Sequence, residues 1–458
     1  MAAWHVRSRW AAGFAVAVLA AGCASTGQGQ AGAQQATLSV SEAVTVLPGG
    51  ALNPTTAVDP ASGAVYLAWA QEVEGGGDAE EPLLEAVVAR SDDGGATFGD
   101  PVVVSAPGER VASYTVSPTQ VVVGPDGEVY LLYLRGTDHP LYEYGRSFLH
   151  LARSDDGAET FGAPVVVADE ATEGVETSME MANLFVAPDG DVYVTFLDFR
   201  GEFARLAAEA AAPPATEEAH SHEEESAPTQ LRIARSTDGG VTFAPSSLVS
   251  EPTCECCGTA AAQGADGPVF ATTRSSWTEL KDSYEPVRDV FVAASADEGA
   301  TWGDPVKVHD DNFKISGCPD ITSGLAVDSQ GRLHTAWYTG TESGPGVYYA
   351  FSDDQGATFS EPVALLSDEW IPYGDVKLVL DGSDNVWVAF EDRREEVELI
   401  QVARVAQGTV EWSDAWPGTA PSMAVTGDSA IVTWATVGDQ PAEHGETSGI
   451  QALLVSAS

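Results

Sequence analysis

The sequence is poor in positive charge. Lys and Arg together number 21 against 69 Asp and Glu, a formal net charge of −48. Such a surface repels polyanions, which excludes nucleic acid and anionic lipid headgroups as partners and favours solubility. Cysteine and methionine are also scarce, at five and four residues, so any clustering of them carries information. Long apolar runs are missing too: the run Ala11 to Ala21 is too short to span a bilayer as a permanent helix. It follows Arg7 and Arg9 and ends at Gly22 and Cys23, the layout of a cleaved export signal. Export in turn places the remaining cysteines in an oxidising compartment, where disulfides are the default.

Beyond the signal at 1–22, residues 23–37 are rich in Gly, Ala and Gln and read as a flexible tether. Residues 38–458 carry a repeat. The octapeptides SDDGGATF from Ser91, SDDGAETF from Ser154, STDGGVTF from Ser236, SADEGATW from Ser295 and SDDQGATF from Ser352 keep Ser first, Asp third, Thr seventh and an aromatic last. Gly is fifth in each except at Ala158. This is turn chemistry: the Asp carboxylate accepts nearby backbone N–H groups, Gly takes positive φ and the aromatic packs on a sheet. Short alternating segments recur as well, anchored at Tyr66, Tyr130, Tyr193, Phe270, His334, Trp387 and Ile431. Several short strands in each repeat of this size are the pattern of propeller blades.

The expected fold is therefore all-β, a seven-bladed β-propeller, with six blades as the fallback. The last unit stops after IQALLVS and has no fourth strand, while SEAVTVL from Ser41 matches the fourth strand SEPVALL from Ser360. An N-terminal strand completing the last blade would close the ring and remove its edges. The octapeptides resemble the Asp-box, or BNR, repeats of the sialidase superfamily, and the N-terminus is similar to a bacterial lipoprotein signal in which Cys23 is acylated. The resemblance implies a propeller with structural aspartates at Asp93, Asp156, Asp238, Asp297 and Asp354. It also implies a periplasmic or cell-surface protein tied to a membrane through its lipid alone.

In a propeller, the segments entering the inner strands share one face. That arrangement would bring Met179 and Met181, the cluster Cys254, Cys256 and Cys257, Cys318 and Tyr373 to one channel mouth. The insertion at 201–228, with His220 and His222, opens on the same face. Thiolate, thioether and imidazole are ligands of soft ions, so the expectation is a copper site for metal handling or delivery to a partner. Its ligands would be Cys256, Cys257 and Cys318, completed by Met179 or Met181, with Cys254 ambiguous. The competing reading pairs Cys318 with one member of the cluster and places a second, short bridge within it.

Two further readings stay open. Sialidases bind a substrate carboxylate with an arginine cluster and attack with a tyrosine assisted by a glutamate. Here Arg135, Arg200, Arg274 and the pair Arg393 and Arg394 follow the anchored strands, and Tyr373 stands at an entry. The Arg-Ile-Pro stretch that opens sialidase domains is absent, the equivalent entry reading ALNPTTAVDP. The alternative for these arginines is ion pairing with the many carboxylates. The last reading is a non-catalytic glycan- or protein-binding propeller using Trp277, Trp370, Tyr373 and Trp416.

Overall fold

A computed structural model describes residues 37–77, 82–168, 176–211, 227–265, 267–276, 286–315, 317–436 and 448–457. The chain is almost entirely β: short antiparallel strands follow one another, interrupted by a single helix among the described residues, Arg200–Ala211. No described helix is long and apolar enough to cross a membrane. Each anchored segment is a strand buried on both faces; Val192–Asp198, Leu333–Thr339 and Val386–Asp392 have no residue more than slightly exposed. Burying one large apolar side chain in this way stabilises the fold by about 1.5–3 kcal/mol. Tyr66, Tyr130, Tyr193, Phe270 and Trp387 are all buried, and so is His334 in the same place. Its ring is satisfied by the Tyr349 hydroxyl at 2.7 Å and Asp328 at 3.2 Å.

Most sheets hold four or five strands in simple sequential order. The exception has eight, because the strand Val44–Val58 serves two units. Its first part pairs with the C-terminal strand Ser448–Ser456, Val44 opposite Ala452, and its second part pairs with Val65–Gly77. The N-terminal and C-terminal segments therefore share one sheet.

The first strands of successive sheets pack side by side. Val44–Val58 lies against Gln120–Val123, which lies against Met179–Val186; the series continues through Ala260–Gln263, Gly324–Val327 and Val376–Leu380 to Thr419–Thr426, which lies against Val44–Val58 again. Side chains join these strands where no ladder does. Thr55 Oγ1 donates to Thr119 O at 2.8 Å, Gln120 spans Ala182 O and Leu184 N, Asn183 Oδ1 accepts from Ala261 N, and Thr322 Oγ1 reaches Val376 O. Ser422 Oγ accepting from Thr56 N at 3.0 Å joins the last of these strands to the first. Between them lies a cavity of about 370 Å³ lined by Thr55, Gln120, Asn183, Lys377, Ser422 and Met423, among others.

All five octapeptides adopt one hydrogen-bonded turn. In the first, Ser91 Oγ donates to Asp93 Oδ1 and accepts from Gly95 N, while Thr97 donates its N–H to Asp93 Oδ1 and its hydroxyl to Oδ2. The pattern repeats at Asp156, Asp238, Asp297 and Asp354. These turns also join neighbouring units: Gly157 faces Tyr66, Gly240 faces Tyr130, Gly299 faces Tyr193, Gly356 faces Phe270, and Gly95 faces Ile431 of the last unit. Five of the anchors thus support the octapeptide turn of the unit that follows.

Candidate functional site

The segments entering the inner strands share a local irregularity. Asn53, Met181, Asp320 and Ala420 all have positive φ, between 45° and 52°, and pairing shifts register at Leu52/Thr55, Glu180/Asn183 and Thr419/Ser422. Bulges of this kind bend a strand and re-aim its side chains, and they concentrate at the rims of closed β structures. Adjacent entries are bonded to one another. Asn53 Nδ2 donates to Ser113 Oγ, Thr259 Oγ1 to Met181 O at 2.8 Å, and Gly258 N to Ile321 O at 3.0 Å. Glu391 accepts from both Asp375 N and Ala420 N. A rim is thereby assembled from segments far apart in the chain.

The cysteines lie on this rim and are paired. Cys254 is bridged to Cys257, with Cα atoms 5.6 Å apart, and Cys256 to Cys318, at 5.7 Å. The thiolate ligand set expected for copper is therefore absent in this oxidised chain, because all four sulfurs are bonded in pairs. Cys254, which an extended segment would point away, is turned inward by the tight turn at Glu255 and Cys256. Met181 packs against the cluster. Met179 does not: its side chain is buried with Leu134, Leu149 and Leu184 in the core beside it. His220, His222 and Trp277 lie outside the described residues.

The arginines do not form an open cluster for an anion. Arg135 pairs with Glu109 at 3.4 Å. Arg200 grips Asp198 through two bonds of 2.9 and 2.8 Å, and Arg394 grips Asp392 in the same way. Arg393 lies between Glu391 and Glu398. Arg274 is fully buried, donating to the carbonyls of Arg288 and Tyr338, and burial lowers its pKa to about 10. Tyr373 is exposed and within electrostatic reach of Arg393. The ion-pair reading matches the geometry of Arg135, Arg200, Arg393 and Arg394, whereas Arg274 is held by backbone carbonyls.

One carboxyl on the rim is different. Asp198, Glu255, Asp289, Asp375, Glu391 and Asp392 each hold a cation, from Arg200, Arg288, Lys307, Lys377, Arg393 and Arg394. Glu180 has no ion-pair partner among the described residues; its Oε1 accepts from Ser178 Oγ at 2.8 Å. Desolvation raises its pKa above the usual carboxylate range, opposed by hydrogen bonds from Ser178 and Ser147. Tyr114, half-exposed on the neighbouring entry, is raised as well, by desolvation first and then by the Glu180 charge. The sequence places the Tyr114 segment among the entries on this face without giving Tyr114 a role, and Glu180, between the two methionines, is not singled out. The signal was one Glu among 69 acidic residues, and what distinguishes it, desolvation without a cation among the described residues, emerges only in the fold.

A second recess lies beside the Asp392–Arg394 pair. It is lined by Asp368, Trp370, Arg394 and Gln401, and the Trp370 indole is 66% exposed.

No family model matches the chain, and no curated protein matches it. Solved structures do. A Dyadobacter fermentans protein of unknown function superposes with a TM-score of 0.51 at 11% identity, covering 92% of this chain and all of its own. An ulvan lyase, a polysaccharide lyase, gives 0.51 at 10% identity over 87% of this chain and 96% of its own. The Hadza microbial sialidase Hz136 gives 0.45 at 16% identity over 74% of this chain and 63% of its own. The first two of these likenesses establish the fold alone, a β-propeller.

Proposed function

We infer that this is an exported, glycan-acting β-propeller whose working face is the rim carrying Glu180 and Tyr114. The observation that carries the reading is Glu180: a carboxyl at the rim, without a cation, beside a tyrosine on the adjacent segment. A desolvated carboxyl keeps its proton to higher pH than a free one, which suits it to protonate a departing glycosidic oxygen. Tyr114 stays a phenol and so acts as a hydrogen-bond donor to a sugar hydroxyl, in contrast to the tyrosine nucleophile of sialidases. Because the rim arginines are held by carboxylates, or for Arg274 buried on backbone carbonyls, and the surface carries −48, the glycans that fit are neutral. Trp370 offers an apolar face on which a distal sugar ring can stack.

The packing of the inner strands supports a closed ring of seven blades, and the shared turn geometry supports the kinship of the octapeptides to Asp boxes. Export and acylation at Cys23 complete the reading, placing the site outside the cytoplasm. The test is hydrolysis of a panel of neutral oligosaccharides, followed by reducing-end release and product masses. Glu180→Gln is expected to lower kcat by about 10²–10⁴-fold. Turnover confined to sialylated substrates, or unchanged in the variant, would overturn the assignment.

A soft-metal role belongs to the reduced chain. The sulfurs of Cys254, Cys256 and Cys257 lie within 4.8 Å of one another, with Met181 against them, a set that suits copper(I) once both bridges are opened. Anaerobically reduced protein, exchanged into copper(I) and freed of excess, should then retain stoichiometric copper by elemental mass spectrometry. Retention equal to that of a Cys256→Ser/Cys318→Ser variant would rule this site out.

A further inference from the structure

The two bridges are arranged to react with each other. Cys254, Cys256 and Cys257 are buried, whereas Cys318 is exposed. The Cys254 and Cys256 sulfurs belong to different bridges and are 3.8 Å apart. Exchange between disulfides needs an entry point for an incoming thiol and a released thiolate in contact with the next sulfur. Cys318 supplies the first and the Cys256–Cys254 contact the second. A staple would need neither, and the two segments are already joined by the Gly258 N–H to Ile321 O bond. We propose that the four cysteines form a thiol–disulfide exchange centre, which accepts a low-molecular-weight thiol at Cys318 and passes two electrons inward to the Cys254–Cys257 bridge.

The steps balance. The incoming thiol loses its proton to solvent, and its thiolate attacks Cys318 Sγ, the exposed sulfur of its bridge. The Cys256–Cys318 bond breaks and Cys256 leaves as a thiolate. That thiolate attacks Cys254 Sγ, the Cys254–Cys257 bond breaks, and Cys257 leaves and takes a proton. A second thiol molecule then attacks the mixed disulfide at its non-protein sulfur and frees Cys318. Two small thiols become one disulfide, and the protein holds thiols at Cys257 and Cys318 with a new Cys254–Cys256 bond.

The experiment treats native protein with limiting glutathione, traps free thiols with iodoacetamide and maps the peptides by mass spectrometry. The expected result is glutathione on Cys318 and alkylation on Cys257 in excess of that on Cys256. In the Cys254→Ser/Cys257→Ser variant, with its fold checked by circular dichroism, the alkylation should move to Cys256. Alkylation of Cys256 with the Cys254–Cys257 bridge intact in the native protein would overturn the proposal. So would the absence of any reaction without denaturant. The native-protein map decides by itself if the variant does not fold, and no glycan enters the assay, so this proposal and the glycan reading fail separately.

Discussion

Asp93, Asp156, Asp238 and Asp297 have pKa values lowered to about 2, and Asp354 is also lowered, first by the Thr hydroxyl of each turn and then by its N–H and the Ser hydroxyl. A depressed folded pKa contributes stability that is present above the unfolded value of about 3.9 and lost as pH falls through the folded one. The melting temperature should therefore fall between about pH 4 and pH 2, and more shallowly when the turn threonines are replaced by valine. An unchanged slope would mean that the turns do not hold these carboxylates. Glu180 has the opposite sign. Its raised pKa makes the ionised form a burden on the folded state at neutral pH, so Glu180→Gln should melt higher at pH 7 and match the parent in acid. The octapeptide aspartates were legible because one pattern recurs five times. Glu180 was not, since its meaning depends on cations contributed by other segments.

Among the elements, the junction between the two cysteine segments is tightly constrained. A Cβ on Gly258 would sit 2.5 Å from Thr322 Cγ2, so Gly258→Ala should cost about 1–3 kcal/mol by overpacking, read from urea unfolding. The Cys256–Cys318 bridge closes a separation of 62 residues. Its removal as a Ser pair should lower stability by roughly 4 kcal/mol on the loop-entropy account; a loss near zero would show that the neighbouring hydrogen bonds suffice. The anchored strands were legible because a large anchor residue recurs in each unit; the sequence shows them as alternating segments, and only the structure shows both faces buried. The inner strands were legible by position only: what holds Gln120 or Asn183 to the next strand is a side-chain bond to backbone, which no periodicity announces. The arginines showed the same limit, their carboxylate partners being as close as two residues away, as in Asp198–Arg200, or as distant as Asp368 is from Arg394.

At the scale of the whole molecule, the chain ends decide whether a sheet edge is left open. Val44 to Ala51 covers the edge of Ser448–Ser456, so deletion of residues 37–47 should expose an unpaired strand and drive self-association, visible as a rise in mass by light scattering. A monomer of unchanged stability would show that this pairing is dispensable. The strand order was anticipated from the missing fourth strand of the last unit, because edge protection is a general requirement. The substrate was not, since the fold is shared by enzymes of differing chemistry and the rim is specific to this chain. The most direct test of the account is the pH dependence of kcat/KM on a neutral oligosaccharide for the parent and for Glu180→Gln. The expected parent profile has an alkaline limb that falls above the ordinary glutamate pKa of about 4.3, and the variant should lose both that limb and most of its rate. Cleavage of no neutral glycan, or a profile identical in the two proteins, would contradict it.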